Sequence, residues 1–213
     1  MVRIVKERKC LIIRRITLVN LGQGEIGFFS ETFDDLRIVP GAFQFAGSAD
    51  PSLSSWQPAA SGATFKVYEF NNADEVFFTV QMPHNYKQGT DLLAHVHWTP
   101  RGRGTAEDTH TVFWKLDYSV ANMDENFAAS ANLDMTDTCD GVNERHLMTP
   151  ELTVTGTGLT VSHILVCRLY RDAGDSWATN TANNRPVLLE FDFHYQLDST
   201  GSQTTTVKTD KNA

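Results

Sequence analysis

Cysteine is scarce in this chain and follows no pattern. The 213 residues include three: Cys10, Cys139 and Cys167, with no CxxC pair and no repeated spacing. That excludes a disulfide framework and points to free thiols in a reducing compartment, with Cys167 buried in a strand. Long apolar runs are missing too. No window approaches the roughly 20 apolar residues of a membrane span. Cys10-Leu11-Ile12-Ile13 is closed at once by Arg14-Arg15, too short for a secretory signal, so a soluble chain made in a cytoplasm is expected. An overall excess of positive charge is also lacking. The formal net charge is −8, which argues against a nucleic-acid binder, since that role needs a basic face. No GxSxG elbow occurs, neither Cys139 nor Cys167 has a local signature with a histidine partner, and no lysine follows Gly102 and Gly104 at P-loop spacing. Nucleophilic catalysis and phosphate binding of those kinds have no support, and no helix of convincing periodicity can be drawn.

What the chain does hold is β-forming sequence. Hydrophobic residues make up 41% and aromatics 10%, led by thirteen Phe, a composition that suits strands. The most informative stretch is Asp91-Leu92-Leu93-Ala94-His95-Val96-His97-Trp98-Thr99-Pro100. As a strand it sends Ala94, Val96 and Trp98 to one side and Leu93, His95 and His97 to the other, the two histidines roughly 6–7 Å apart. Val187 to Asp198 alternates as regularly. Val187, Leu189, Phe191, Phe193, Tyr195 and Leu197 are expected in the core, and Glu190, Asp192, His194 and Gln196 on the opposite face. Thr109 to Val120 alternates as well, and as the next strand after the histidine strand it is expected to pair with it antiparallel. Phe65–Phe70 and Glu75–Met82 read as a hairpin, as do Leu152–Thr155 and Leu159–Arg171 across Gly156-Thr157-Gly158. The last of these strands has apolar residues on both faces and is expected to be central and covered on both sides. Residues 121–150 read as loop with short strands and one helical turn over 122–128.

Roughly six to nine strands at intervals of roughly 10–20 residues predict an all-β, jelly-roll-like antiparallel β-sandwich with an extended N-terminal arm. The expected organisation is an arm over 1–31, a sandwich over 32–198 and a tail over 199–213. Residues 1–15 of the arm carry Arg3, Lys6, Arg8, Lys9, Arg14 and Arg15 against Glu7 alone, a local +5 that leaves −13 for the rest of the chain. It is an interaction arm, suited to a partner's acidic surface.

One constellation invites chemistry. His95 and His97 could join Asp117, Glu190, Asp192 and His194 if their strands became neighbours on one polar face. In a jelly-roll barrel a His-x-His pair, a carboxylate and a distant histidine make a cupin-type metal site. The glutamate such sites place a few residues on is missing, since Trp98-Thr99-Pro100-Arg101-Gly102 follows and Glu107 falls in a loop. The expectation is therefore a polar, hydrogen-bonded seam or subunit contact, with no catalytic residue, no metal and no cofactor. Trp56, Trp98, Trp114 and Trp177 raise the further alternative of a sugar-stacking platform, although Trp98 and Trp114 occupy core positions in the alternation.

Five separated segments carry a resemblance: Phe33–Arg37, Val80–Leu92, Ala94–Trp98, Val166–Asp172 and Leu189–Tyr195. Together they resemble a family of tailed-bacteriophage virion structural proteins over about residues 32–198. The resemblance implies a β-sandwich that decorates or cements a capsid, or sits in the tail or neck. It further implies a non-enzymatic homotrimer whose partners are the major capsid protein or other virion proteins. Such a protein would be made in the host bacterial cytoplasm and located in the virion, with His95, His97 and His194 as a seam around a three-fold axis.

Overall fold

The described residues form thirteen strands, numbered in chain order. They are β1 (Leu18–Leu21), β2 (Glu25–Phe28), β3 (Phe33–Ile38), β4 (Ser52–Trp56), β5 (Phe65–Glu69), β6 (Glu75–Gln81) and β7 (Leu92–Pro100). There follow β8 (Thr111–Ala121), β9 (Ala131–Thr138), β10 (Leu147–Met148), β11 (Leu152–Val154), β12 (Ile164–Arg171) and β13 (Pro186–Gln196). This computed structural model describes residues 18–21, 25–28, 32–101, 110–139, 142, 144–175, 185–198 and 201, with only the backbone of 18–21 and 25–28. The cationic residues expected in the arm, together with Cys10, Glu107 and Trp177, lie outside the described residues. Apart from two single-turn 3-10 segments, Pro40–Ala42 and Pro58–Ala60, the described residues contain no helix.

The fold is an all-β antiparallel sandwich. A seven-stranded sheet runs β10-β7-β13-β5-β4, with β11 also on β7 and β3 also on β13; a four-stranded sheet runs β6-β12-β8-β9. β1 and β2 pair with one another, Leu18 opposite Phe28. Every one of these strand pairs is antiparallel.

Alternation explains the core. The inward sides of β6 (Val76, Phe78, Val80), β8 (Val112, Trp114, Leu116) and β12 (Leu165, Cys167, Leu169) meet those of β7 (Ala94, Val96, Trp98) and β13 (Phe191, Phe193, Tyr195) in one buried cluster. Phe78 and Phe191 touch across the sheets with ring centroids 5.2 Å apart, and Phe70 meets Trp114 edge-on at 5.0 Å. Each such buried aromatic contributes about 1.5–3 kcal/mol of hydrophobic free energy.

Three expected pairings do not occur, for one reason. β5 pairs with β4 and β13 while β6 pairs with β12, and β7 pairs with β13, β10 and β11 while β8 pairs with β9 and β12. β11 lies on β7 and β12 lies between β6 and β8. In each case the two strands sit in opposite sheets, and for β7 and β8 this places Trp98 and Trp114, both at 0% exposure, in the one core between the sheets. The passage from β5 to β6 is held by Arg171, itself fully buried. Its Nη1 donates to the Phe70 carbonyl at 2.8 Å and its Nε to Asp175 at 2.6 Å. The passage from β11 to β12 depends on Gly156, where an added Cβ would fall 1.8 Å from the Thr90 carbonyl oxygen.

Smaller corrections follow from register. β12 is central in its sheet, but Val166 on its outer face is exposed, so only one face is covered. Residues 121–150 include the eight-residue β9, and 122–128 form turns rather than a helical turn. A bulge between Leu188 and Glu190 puts Leu188 into the core and leaves Leu189 half-buried, which reverses the expected alternation at that end of β13.

Candidate functional site

The bulge in β13 aims a row of polar side chains at the outer face of the large sheet. Beyond it, Glu190 lies opposite His97, Asp192 opposite His95 and His194 opposite Leu93 on β7. On the other flank β3 sets Arg37 opposite Asp192 and Asp35 opposite His194. Residues directly opposite in an antiparallel pair share a face, so three strands assemble one grid of imidazoles, carboxylates and a guanidinium.

The β10–β11 segment completes it. Thr149, fully buried between these two short strands, accepts the Val96 N–H at 3.0 Å through its hydroxyl, and its own N–H donates to the Val96 carbonyl at 3.1 Å. This clamps the segment to the edge of β7 and delivers His146 and Glu151 to the grid. His146 Nε2 is 2.7 Å from His97 Nδ1, and Glu151 Oε1 is 2.7 Å from His194 Nδ1.

At the centre, His95 and Asp192 are shut off from solvent. His95 Nε2 lies 2.5 Å from Asp192 Oδ1 and 3.0 Å from His97 Nε2, and His97 Nε2 lies 3.7 Å from Asp192 Oδ2. The His194 ring meets that of His95 at a 59° tilt with centroids 4.4 Å apart, and its Nε2 is 3.2 Å from Asp35. One ligand-type atom from each of His95, Asp192 and His194 lies within 4.8 Å of the other two. Arg37 binds both oxygens of Glu190, Nη2 to Oε2 at 2.5 Å, which occupies that carboxylate.

Within the grid, His95 Nδ1 is buried with no hydrogen-bond partner, and Asp192 Oδ1, equally buried, has only the close contact with His95 Nε2. An unsatisfied buried acceptor costs about 1–3 kcal/mol, and more when it is charged. Burial lowers the His97 pKa below the ordinary histidine value; Asp192 opposes this, and the neighbouring His95 and His146 add to it. The neutral imidazole, with a lone pair to offer, is favoured.

Of the candidate residues, His95, His97, Glu190, Asp192 and His194 are brought together. Asp117 is not. It projects from β8 in the other sheet, where Arg168 binds it at 3.0 Å, binds Glu75 at 2.6 Å and lies over the Tyr170 ring. Sequence reading missed His146, Glu151, Asp35 and Arg37 as members, because only strand pairing carries them there. Among the described residues no aromatic platform assembles: Trp98 and Trp114 are in the core, and half-buried Trp56 directs its indole N–H at Glu144, while Trp177 lies outside the described residues.

No protein-family model matches the chain, and no curated protein matches it. Among solved structures it is similar to a cycloisomaltooligosaccharide glucanotransferase from Paenibacillus sp., at 12% identity and a TM-score of 0.37, over 74% of this chain and 18% of that one. It is similar to a chain of infectious bursal disease virus, Gt strain, at 11% identity and TM-score 0.35, over 85% of this chain and 36% of that one. It is also similar to the stem and receptor-binding domain of the spike protein P1 of bacteriophage PM2, at 8% identity and TM-score 0.25, over 83% of this chain and 100% of that one. The chain thus spans under half the length of the first two.

Proposed function

We propose that this protein is a non-enzymatic structural component of a tailed-bacteriophage virion, a capsid decoration or cement protein that acts as a homotrimer on the major capsid protein. One observation carries the reading. Four of the five segments that resemble such virion proteins meet in space. Phe33–Arg37, Leu189–Tyr195 and Ala94–Trp98 are hydrogen-bonded neighbours in the order β3-β13-β7. The loop from Val80 to Leu92 packs at their end, where Asn85 receives the Tyr195 hydroxyl at 3.1 Å. A resemblance scattered along the sequence therefore describes one coherent surface and its support.

A further part of the large sheet, outside those segments, suits subunit contact. The large sheet ends on β4, whose outer edge is unpaired by any described strand. Beside it Leu53 and Phe65 are more than half exposed. An open edge with apolar side chains is a site at which a neighbouring subunit can dock.

The test is the solution mass by light scattering, followed by sedimentation with empty capsids. A stable species near three times 23.8 kDa that co-sediments with capsids supports the proposal. Failure to bind capsids, with the protein recovered from tails or necks of purified virions, moves it to that part of the particle. Absence from virions altogether overturns the virion reading.

A further inference from the structure

We propose that His95, His97, Asp192 and His194 bind one divalent transition-metal ion of the zinc class on the outer face of the large sheet. The inference goes beyond the virion reading and stands without it.

The donor set comes first. Three imidazoles and one carboxylate are the ligands that zinc and its neighbours in the first transition row accept, whereas magnesium and calcium take oxygen. Geometry comes second. A four-coordinate ion with bonds near 2.0–2.1 Å needs its ligand atoms about 3.4 Å apart. His95 Nε2, His97 Nε2 and the Asp192 oxygens stand at 2.5, 3.0 and 3.7 Å, and His194 offers an atom within 4.8 Å of His95 and Asp192. These separations change by up to about 1.4 Å when an ion enters, and half-buried His194 joins it by turning its Nε2 away from Asp35, now 3.2 Å off.

Third is the bonding that protons alone leave undone. In a neutral relay His95 Nε2–H donates to His97 Nε2, and His97 Nδ1–H donates to His146 Nε2. That leaves Asp192 Oδ1, 2.5 Å from the same His95 Nε2, without a share of the single proton this nitrogen can carry. A cation in the place of that one proton is bound by the carboxylate oxygen and by both facing nitrogens. Fourth, the outer partners of a metal centre are in place. His97 has His146 behind its far nitrogen, and His194 has Glu151 at 2.7 Å, the arrangement that orients metal-bound imidazoles.

The experiment uses the full chain, stripped with chelator, desalted and titrated with zinc chloride. Metal content is read by mass spectrometry, and cobalt(II) serves as the spectroscopic probe. Expected are one ion per chain, a visible cobalt absorption of four- or five-coordinate intensity, and a rise in melting temperature on the order of 5–10 °C at a hundredfold excess over Kd. His97→Gln and Asp192→Asn should each weaken zinc binding about a hundredfold or more, and His146→Gln about tenfold. Asp117→Asn, in the other sheet, should bind as the parent does. His97 is partly exposed, so its variant stays informative if Asp192→Asn fails to fold. No stoichiometric binding by the parent, or binding unchanged in His97→Gln, overturns the proposal.

Discussion

The indole N–H of Trp98 on β7 donates to the carboxylate of Asp137 on β9 at 2.8 Å, and so joins the two sheets by a side-chain hydrogen bond at the margin of an otherwise apolar interface. Trp98 is fully buried, and its ring fills the core while its nitrogen reaches the far sheet.

Removing that acceptor should be felt across the sandwich. Asp137→Ala is expected to destabilise the protein by about 1–3 kcal/mol, because a buried donor loses its partner. Urea denaturation followed by tryptophan fluorescence measures the loss. A midpoint unchanged from the parent would show that the bond between the sheets contributes nothing net.

Gly156 should tolerate no side chain. A Cβ there would lie 1.8 Å from the Thr90 carbonyl oxygen and 2.8 Å from the Asp91 nitrogen, both backbone atoms. The Gly156 N–H is also held by Asp91 Oδ1 at 2.8 Å. Gly156→Ala is expected to lower stability by about 1–3 kcal/mol or more through overpacking, whereas Gly41→Ala, with open space around it, should change it little. Equal melting temperatures for the two variants would count against the close approach.

Arg171 and Asp175 form a bidentate pair with both side chains at 0% exposure. Breaking it from one side strands a charge in the interior, and Asp175→Ala should cost about 3–5 kcal/mol. Replacing both partners by apolar residues should recover part of that loss. The comparison is a double-mutant cycle in denaturant, and additive effects would argue that the pair does not act as a unit.

Burial pushes the Cys167 thiol up from the ordinary 9.0 to about 12. The thiolate fraction at pH 8 is then on the order of one in ten thousand, and the thiol should be inert. In a Cys10→Ser variant, native protein should resist iodoacetamide at both buried cysteines, Cys139 and Cys167, and label at both in guanidinium. Because the folded pKa is the raised one, this group's contribution to stability is complete below pH 9.0 and is lost as the pH rises towards 12. Rapid labelling of Cys167 in the native state would contradict the burial.

Leu53 and Phe65 flank the open edge of the large sheet at 56% and 53% exposure. If that edge is the subunit contact, Leu53→Glu with Phe65→Glu should give a monomer by light scattering without loss of the β circular-dichroism signal. A trimer that survives both changes would place the contact elsewhere.

Local pattern determined the fold class and the inward faces of most strands. Side chains on a strand alternate with a period of two whatever that strand pairs with, so Val96, Trp98, Trp114, Phe191 and Phe193 could be assigned to the core from neighbours in sequence alone. The same rule put His95 with His97, and Asp192 with His194, on outward faces.

Pairing is another matter. Whether β7 adds to β8 or to β13 depends on which apolar faces can be buried against each other across the sandwich, a long-range choice that leaves no mark within either strand. For that reason Asp117 was grouped with the histidines and Asp35, Arg37, His146 and Glu151 were not. The bulge at Leu188–Glu190 likewise adds one residue whose effect on facing is set by the register with Trp98 and His97. What brings two imidazoles and a carboxylate within hydrogen-bonding distance is the antiparallel register of β7 and β13. That register exists only once the core behind them has closed.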